Sequence, residues 1–242
     1  MLISGWKTVS MMDVRGSITF TLWLCGCNLR CPFCHNWKIA SGIGCVKLDD
    51  AKFFDDLKES MPLIDYLHIT GGEPLLQWRE LRFLVKRVKK LGVSVSLNTN
   101  GTFVKPLEKL VKEELVDHVA TDLKTPLLYG MPQGTSMKLW ELFIKTLDLL
   151  SEYQLPLELR IPIARELNME EFLYYVDSAL SHLKAHPNFY IIINPLLGPP
   201  LVLPRDRAWC LSHCFPEKEI EIVRDYLERK GVNYSSLMDG AL

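Results

Sequence analysis

Three cysteines within eight residues are the first feature of the sequence that could carry chemistry. Cys27 and Cys31 are separated by three residues, and Cys31 and Cys34 by two. Thiolates so close along the chain can bind one soft metal centre without help from a distant segment. A cluster of four irons needs four ligands, so three cysteines leave one iron open to a small molecule. The spacing therefore predicts an iron–sulfur cluster with one reactive iron.

Four further cysteines, Cys25, Cys45, Cys210 and Cys214, bring the total to an odd number, seven. The odd count and the clustering argue against a disulfide framework. The first residues lack the charged and apolar regions of a secretion signal, so we expect a cytoplasmic protein with reduced thiols. A structural zinc site is the alternative for the triplet, with His35, Cys25 or Cys45 as fourth ligand. Cys210 and Cys214 could bind a second metal with Cys45, contact a partner, or simply lie in a loop.

The composition is typical of a soluble globular protein rather than of a membrane or nucleic-acid-binding protein. The 242 residues are 48% hydrophobic and 24% charged, with a formal net charge of −1. No run approaches the roughly 20 apolar residues that cross a bilayer, so we expect no membrane partner. The near-neutral charge makes nucleic acid an improbable partner. The basic segment Arg79–Lys90 is either a solvated helix face or a docking surface for an acidic partner or RNA.

Apolar strands alternate with amphipathic helices along most of the chain. Continuous apolar runs indicate strands buried on both faces, hence a parallel sheet with helices outside it. The predicted strands are Val14–Cys25, Tyr66–Thr70, Val93–Leu97, His118–Thr121, Leu157–Ile163 and Phe189–Ile193. The predicted helices begin at Asp49 or Asp50 and cover Gln77–Leu91, Pro106–Leu115, Ser136–Leu150, Asn168–His182 and Pro216–Lys230. We expect an α/β fold, a partial (βα)6 barrel with parallel strands. It would form one domain over residues 1–242, with a core at about 14–195 and a C-terminal loop and helix at 196–242.

Polar and glycine residues recur where predicted strands end. The sequence Gly71-Gly72-Glu73-Pro74 follows the second strand, and Asn98 the third. Asp122 and Lys124 follow the fourth strand, and Arg160 lies on the fifth. Parallel sheets bind their ligands at the carboxyl ends of their strands, so these residues are candidates for one binding site.

The cysteine spacing, the Gly-Gly-Glu-Pro turn and the six βα units together resemble the radical S-adenosylmethionine (radical SAM) superfamily. The resemblance covers roughly residues 17–194. It implies that Cys27, Cys31 and Cys34 bind a 4Fe–4S cluster, which makes them the catalytic and metal-binding residues. It further implies that SAM chelates the fourth iron and is reductively cleaved to a 5′-deoxyadenosyl radical, which abstracts hydrogen from a substrate.

The same resemblance implies contacts to SAM. Phe33 would lie next to the adenine, and the Gly71–Pro74 turn, with Glu73, would receive the ammonium group. Lys124 and Arg160 would approach the carboxylate, since a cation paired with a carboxylate is favoured where water is scarce. A buried structural ion-pair network is the alternative for these charges. The remaining implied contacts are Asn98 and Asp122.

The segment Trp23–Asn36 more closely resembles the glycyl-radical-enzyme activases, of the types that activate anaerobic ribonucleotide reductase and pyruvate formate-lyase. This resemblance implies a glycyl radical enzyme as partner and a flavodoxin- or ferredoxin-type electron donor. Two alternatives stay open. One is a radical SAM enzyme that modifies a small molecule or a tRNA nucleoside, and the other is a metal-binding protein without SAM chemistry.

Overall fold

The computed structural model describes residues 1–236, so the last residues of the predicted C-terminal region, 237–242, lie outside the described part. Two compact units make up the chain. The first comprises Met1–Asn28, Asn36–Thr99 and Phe103–Ala120, and the second comprises Leu29–His35, Asn100–Thr102 and the residues from Thr121 onward. The single domain expected from the sequence stays a prediction.

The first unit contains a mixed sheet with helices. Its strands are β1 (Leu2–Ser10), β2 (Thr19–Leu24), β3 (Val46–Lys47), β4 (Tyr66–Gly71) and β5 (Ser94–Thr99), in the spatial order β3-β1-β2-β4-β5. β2, β4 and β5 are parallel, whereas β1 is antiparallel to both of its neighbours. The helices are α1 (Trp37–Ala40), α2 (Asp50–Ser60), α3 (Trp78–Lys89) and α4 (Val104–Lys112).

The strand β6 (His118–Asp122) begins in the first unit and ends in the second. The second unit continues with β7 (Leu157–Ile163), β8 (Phe189–Pro195) and β9 (Tyr234–Ser236), which are parallel in that order. Its helices are α5 (Gln133–Glu152), α6 (Met169–His182), α7 (Arg207–His213) and α8 (Glu217–Arg229). Among residues 1–236, no helix is long and apolar enough to cross a membrane.

The predicted helices form where their apolar faces and caps indicated. The Asp49 carboxylate accepts a hydrogen bond from the Lys52 amide (3.2 Å) at the start of α2, and Asn168 caps α6 in the same way through the Glu171 amide (3.2 Å). Such caps satisfy amides that have no partner within the helix. In α2, the fully buried Phe53 packs edge-to-face on Phe20 of β2 (5.5 Å between ring centroids), which holds the helix on the sheet.

The α/β class and the mostly parallel sheet are confirmed. Three strands were not predicted, however, and β1 runs antiparallel to β2. The first predicted strand also starts later than expected, at Thr19 instead of Val14. β1 was missed because Gly5 interrupts it and most of its side chains are at least partly exposed, which obscures the alternation.

Candidate functional site

The Gly71-Gly72 turn contacts the chain just before the first cysteine of the triplet. The Gly72 amide donates to the Leu24 carbonyl (2.8 Å), at the end of β2. A Cβ atom on Gly71 would lie 2.2 Å from the Leu24 oxygen, and one on Gly72 would lie 2.0 Å from the Gly26 oxygen. Any side chain at either position would displace main-chain atoms, so both glycines are required for this approach. The contact fixes the backbone that leads into Cys27.

Glu73 stabilises the same turn. Its amide donates to the Gly26 carbonyl (2.7 Å). Its fully buried carboxylate accepts hydrogen bonds at Oε1 from the Leu75 amide (3.0 Å) and the Thr99 hydroxyl (2.9 Å). Pro74 then opens a 3-10 turn, and its ring lacks the amide that would otherwise need a partner there. Glu73 therefore links the turn to the end of β5, and its role toward a SAM ammonium group stays a prediction.

Two asparagines complete the polar groups around this turn in the first unit. The Asn98 amide donates to the Thr70 hydroxyl (3.1 Å), so the ends of β4 and β5 are linked. The Asn36 amide donates to the Gly71 carbonyl (3.4 Å). The sequence singled out Asn36 only as part of a motif; its bond to the turn gives the residue a positioning role.

We call residues 24–35 the cysteine segment. Its second half, Leu29–His35, belongs to the second unit. In the described part of the chain, Cys27, Cys31 and Cys34 form no disulfide, and Cys31 is buried. The Cys34 amide donates to the Cys31 carbonyl (3.2 Å), which closes a tight turn between them. Phe33 packs against an apolar cluster that follows β6, β7 and β8. The buried members of that cluster are Leu128, Ala164, Leu196, Cys210 and Cys214.

A C-terminal strap, which we define as residues 196–214, fixes this half of the segment and was not found from the sequence. The Arg205 amide donates to the Cys34 carbonyl (3.1 Å), and the Asp206 amide donates to the Pro32 carbonyl (2.9 Å). The Asp206 carboxylate also caps α7 by accepting from the Trp209 amide (2.9 Å). The region predicted to be a C-terminal loop thus holds two main-chain atoms of the cysteine segment.

A second contact to the same half comes from the chain after β6. The Arg30 amide donates to the Tyr129 carbonyl (3.3 Å). Gly130 has a φ of 65°, and a Cβ atom there would lie 2.3 Å from the Arg30 oxygen. Only glycine combines this backbone conformation with so close an approach. No sequence motif predicted this contact by Tyr129 and Gly130.

The predicted charged residues of the second unit form pairs. Lys124 donates to the Asp122 carboxylate (2.6 Å), and Arg160 donates to the buried carboxylate of Glu158. The Leu123 amide donates to the Arg160 carbonyl (2.7 Å), which links the end of β6 to β7. Each predicted cation therefore has an anionic neighbour that holds its side chain in place.

These groups also act on one another electrostatically. Burial tends to raise the pKa of Asp122, but the charges of Lys124 and Arg160 outweigh burial and hold that pKa below its usual value. Burial tends to lower the pKa of Arg160, and the charges of Glu158 and Asp122 raise it instead. Both shifts favour the charged form, a carboxylate at Asp122 and a guanidinium at Arg160. Burial lowers the pKa of His35, with Asp122 opposing and the two cations reinforcing the shift.

The expectation that the other four cysteines are unpaired is wrong. Cys25 forms a disulfide with Cys45, and Cys210 forms one with Cys214. The first pair forms because β3 returns beside β1, which brings residue 45 to within 6.4 Å (Cα–Cα) of residue 25. The second pair is four residues apart, the spacing of neighbours on one helix face. Neither a second metal site with Cys45 nor zinc ligation by Cys25 or Cys45 fits these pairings.

The residues present suit an iron–sulfur cluster. Three thiols close in sequence, outside any disulfide, provide soft ligands. The Tyr129 hydroxyl, which is fully buried, has no hydrogen-bond partner among the described residues. Buried polar groups rarely stay unsatisfied, so the partner of this hydroxyl is a bound group or a buried water.

Comparison with known proteins identifies relatives over part of the chain. The profile of the Radical SAM superfamily matches residues 22–179. A Methanocaldococcus jannaschii protein named as a glycyl-radical enzyme activating enzyme is 34% identical over 128 residues, covering 51% of this chain and 50% of that protein. The 7-carboxy-7-deazaguanine synthase of Hyperthermus butylicus is 37% identical over 94 residues, 38% of each chain. The chain thus spans about half, or less, of the length of these curated relatives.

The fold also resembles a solved structure. The crystal structure of Streptococcus suis SuiB matches with a TM-score of 0.53 and 15% identity, over 89% of this chain and 47% of that one. At this identity the likeness concerns the fold alone.

Proposed function

The chain belongs to the radical SAM superfamily, and we propose that it is an activase that installs a glycyl radical on a partner enzyme. Members of this superfamily use a 4Fe–4S cluster and S-adenosylmethionine, and the chain is therefore a radical SAM enzyme. The observation that carries the activase proposal is the 34% identity, over half the chain, to the protein named as a glycyl-radical enzyme activating enzyme. The activase-like segment Trp23–Asn36 also favours it.

In this proposal Cys27, Cys31 and Cys34 hold the cluster. When bound, the cluster and SAM supply a 5′-deoxyadenosyl radical through one-electron cleavage of the sulfonium bond. The protein positions these groups and excludes water. Gly71 and Gly72 let the turn approach the backbone that leads into Cys27, and so help to position it. The main-chain hydrogen bonds of the strap position Cys34.

Lys124 and Arg160 would receive the SAM carboxylate, with Phe33 near the adenine and the Gly71–Pro74 turn near the ammonium group. The structure supports the first assignment because both cations are held by anions, Asp122 and Glu158. A cation held in place loses little side-chain freedom when it binds a carboxylate. Asn98 and Asp122 complete the proposed set.

The remaining parts of the proposal concern partners and location. The substrate would be a glycyl radical enzyme, and a flavodoxin- or ferredoxin-type protein would supply the electron. We place the enzyme in the cytoplasm, because a strongly reducing cluster and its donor need a reducing compartment. The two disulfides are atypical of that compartment and count against the placement.

A second candidate is a radical SAM enzyme that modifies a small molecule or a tRNA nucleoside. The observation in its favour is the 37% identity to a 7-carboxy-7-deazaguanine synthase over 94 residues. That match is higher in identity than the activase match but covers less of the chain.

The first experiment separates enzyme from metal-binding protein. Protein reconstituted anaerobically with iron and sulfide, reduced with dithionite and given SAM, should release 5′-deoxyadenosine. Cys27→Ala should abolish this release by more than about 100-fold, since a cluster ligand is lost, whereas Phe83→Ala on the exposed face of α3 serves as the matched control. Equal activity of the Cys27→Ala protein would contradict the proposed ligand set.

A second experiment separates the two enzyme classes. The reduced enzyme and SAM are mixed with each glycyl radical enzyme of the source organism, and electron paramagnetic resonance (EPR) spectra are recorded. A glycyl radical doublet supports the activase. Release of 5′-deoxyadenosine without a doublet for any partner, together with a modified nucleoside or deazapurine in the products, supports the second candidate instead.

A further inference from the structure

The buried hydroxyl of Tyr129 has no role in the proposed function described so far. The side chain is completely inaccessible to solvent, and its Oη atom has no hydrogen-bond partner among the described residues. Leaving a buried donor unsatisfied is costly, so native proteins nearly always provide a partner. The partner here is either a group that the protein binds or a buried water.

The surroundings of Tyr129 point to the cysteine segment. The Tyr129 carbonyl accepts from the Arg30 amide (3.3 Å). Next to it, the Gly130 α-carbon approaches the main chain of Arg30 and Cys31 so closely that a Cβ atom would lie 2.3 Å from the Arg30 oxygen and 3.3 Å from the Cys31 amide nitrogen. These two contacts hold the base of the tyrosine against the residue before a proposed cluster ligand.

The hydroxyl of Tyr129 is a potential hydrogen-bond donor near Cys31. Burial raises the pKa of Tyr129, and the negative charge of Cys31 raises it further. A phenol in its ordinary neutral form has one hydrogen to donate to an anionic acceptor. Cys31 is itself buried.

We propose that the Tyr129 hydroxyl donates a hydrogen bond to a sulfur atom of the bound cluster beside Cys31 and thereby raises its reduction potential. The inference rests on the proposed function only in taking Cys31 as a ligand. Hydrogen bonds to cluster sulfurs are among the main determinants of cluster potentials. The reduced cluster carries one more negative charge than the oxidised one, so a donor stabilises it more and the potential rises. Tyr129 is thus a positioning and tuning residue.

The test is an EPR-monitored redox titration of the reconstituted protein without SAM. Tyr129→Phe removes only the hydroxyl and should give a midpoint potential more negative than that of the wild type. Tyr226→Phe is the matched control, because it removes a hydroxyl that donates to Asp177 (2.7 Å) at the surface. It should leave the potential unchanged. Equal potentials for the wild type and Tyr129→Phe would overturn the proposal.

The apoproteins give a second readout that a merely structural role would not produce. Without the cluster, Tyr129→Phe should unfold at the same temperature as the wild type or higher, because no hydrogen bond is lost. A lower unfolding temperature of the apo variant would show a partner inside the protein, and the proposal would fall.

A third measurement needs no variant at Tyr129. Electron–nuclear double resonance on the reduced wild type, in H₂O and D₂O, should show an exchangeable proton coupled to the cluster, and its absence would overturn the proposal. Failure of the ligand set appears elsewhere. A Cys31→Ala protein that keeps its iron and EPR signal would contradict the proposed function, whatever the potential of Tyr129→Phe.

Discussion

Each half of the cysteine segment is contacted by a glycine whose backbone approaches it closely. The two contacts differ in whether a sequence motif predicts them. Before Cys27, the Gly71–Gly72 turn approaches main-chain oxygens so closely that a Cβ atom would come within 2.2 Å or less. After Cys27, Gly130 does the same to the Arg30 oxygen at 2.3 Å. The first contact is made by the Gly71-Gly72-Glu73-Pro74 motif, while the second is made by a single glycine outside any motif. A close backbone approach is therefore a requirement of the loop as a whole, and only one of its instances has a sequence signature.

The largest loss of stability is expected from a substitution in the Gly71–Gly72 turn. Gly72→Ala places a Cβ atom 2.0 Å from the Gly26 oxygen, so the turn has to move away from the segment before Cys27. We expect a loss of about 3 kcal/mol or more in the free energy of unfolding, and poor cluster loading. Chemical denaturation of the apoprotein and iron content after reconstitution measure these effects.

The matched control is Gly134→Ala, in the first turn of α5. No atom lies within 4 Å of a Cβ there, so the change should be neutral or slightly stabilising. Equal stability of the two variants would break the view that the turn is held by close backbone contact.

A substitution at Gly130 should also lower stability and iron binding, but by less. Gly130→Ala adds the cost of a positive φ, about 1 kcal/mol, to the overlap with Arg30. We expect a total loss of about 2 to 3 kcal/mol and reduced iron binding, measured as for Gly72. If iron loading and stability matched the wild type, the two halves of the segment would not be held alike.

The sequence predicts the parts of the candidate site that lie in motifs, but not the contacts that main-chain atoms make. The glycine turn, Asn98, Asp122, Lys124 and Arg160 were predicted because strand ends and charged residue types are visible in a sequence. The strap was not, because the amides of Arg205 and Asp206 make the contacts, and any residue except proline has such an amide. The N-terminal strand β1 was missed for a different reason, since its exposed side chains and Gly5 hide the alternation.

The strap offers a finer comparison between two helix caps. Asp206→Ala removes the cap of α7, and Asn168→Ala removes the equivalent cap of α6. Each should cost about 1 kcal/mol. Only the first loosens the residues that hold the Pro32 and Cys34 carbonyls, so it alone should speed iron loss to a chelator. Equal rates of iron loss would show that the strap does not hold the cysteine segment.

The smallest effect is expected from the protonation of Glu113 in acid. Hydrogen bonds from Arg82 and Lys86 lower the pKa of Glu113 to about 2, from an ordinary value near 4.5. A carboxyl whose pKa is lower in the folded state contributes stability above the unfolded pKa, and this contribution disappears as the pH falls from about 4.5 toward 2. Because Glu113, Arg82 and Lys86 are partly exposed, salt should weaken this contribution to stability.

Urea titrations at pH 7 and at pH 3 measure this contribution. Glu113→Gln should lose less stability between the two pH values than the wild type does, with Glu114→Gln as the neighbouring control. An identical pH dependence in the Glu113→Gln protein and the wild type would contradict the assignment.

The strap also sets the order of events when the chain is synthesised. The carbonyls of Leu24 and Gly26 find their partners once Gly72 and Glu73 have left the ribosome, whereas the carbonyl of Cys34 waits for Arg205. Contacts between residues so far apart in sequence form late. A nascent or truncated chain that ends before the strap therefore carries all three cysteines with only half of their support. If these cysteines bind the cluster as proposed, iron delivery is expected only after the strap has been synthesised.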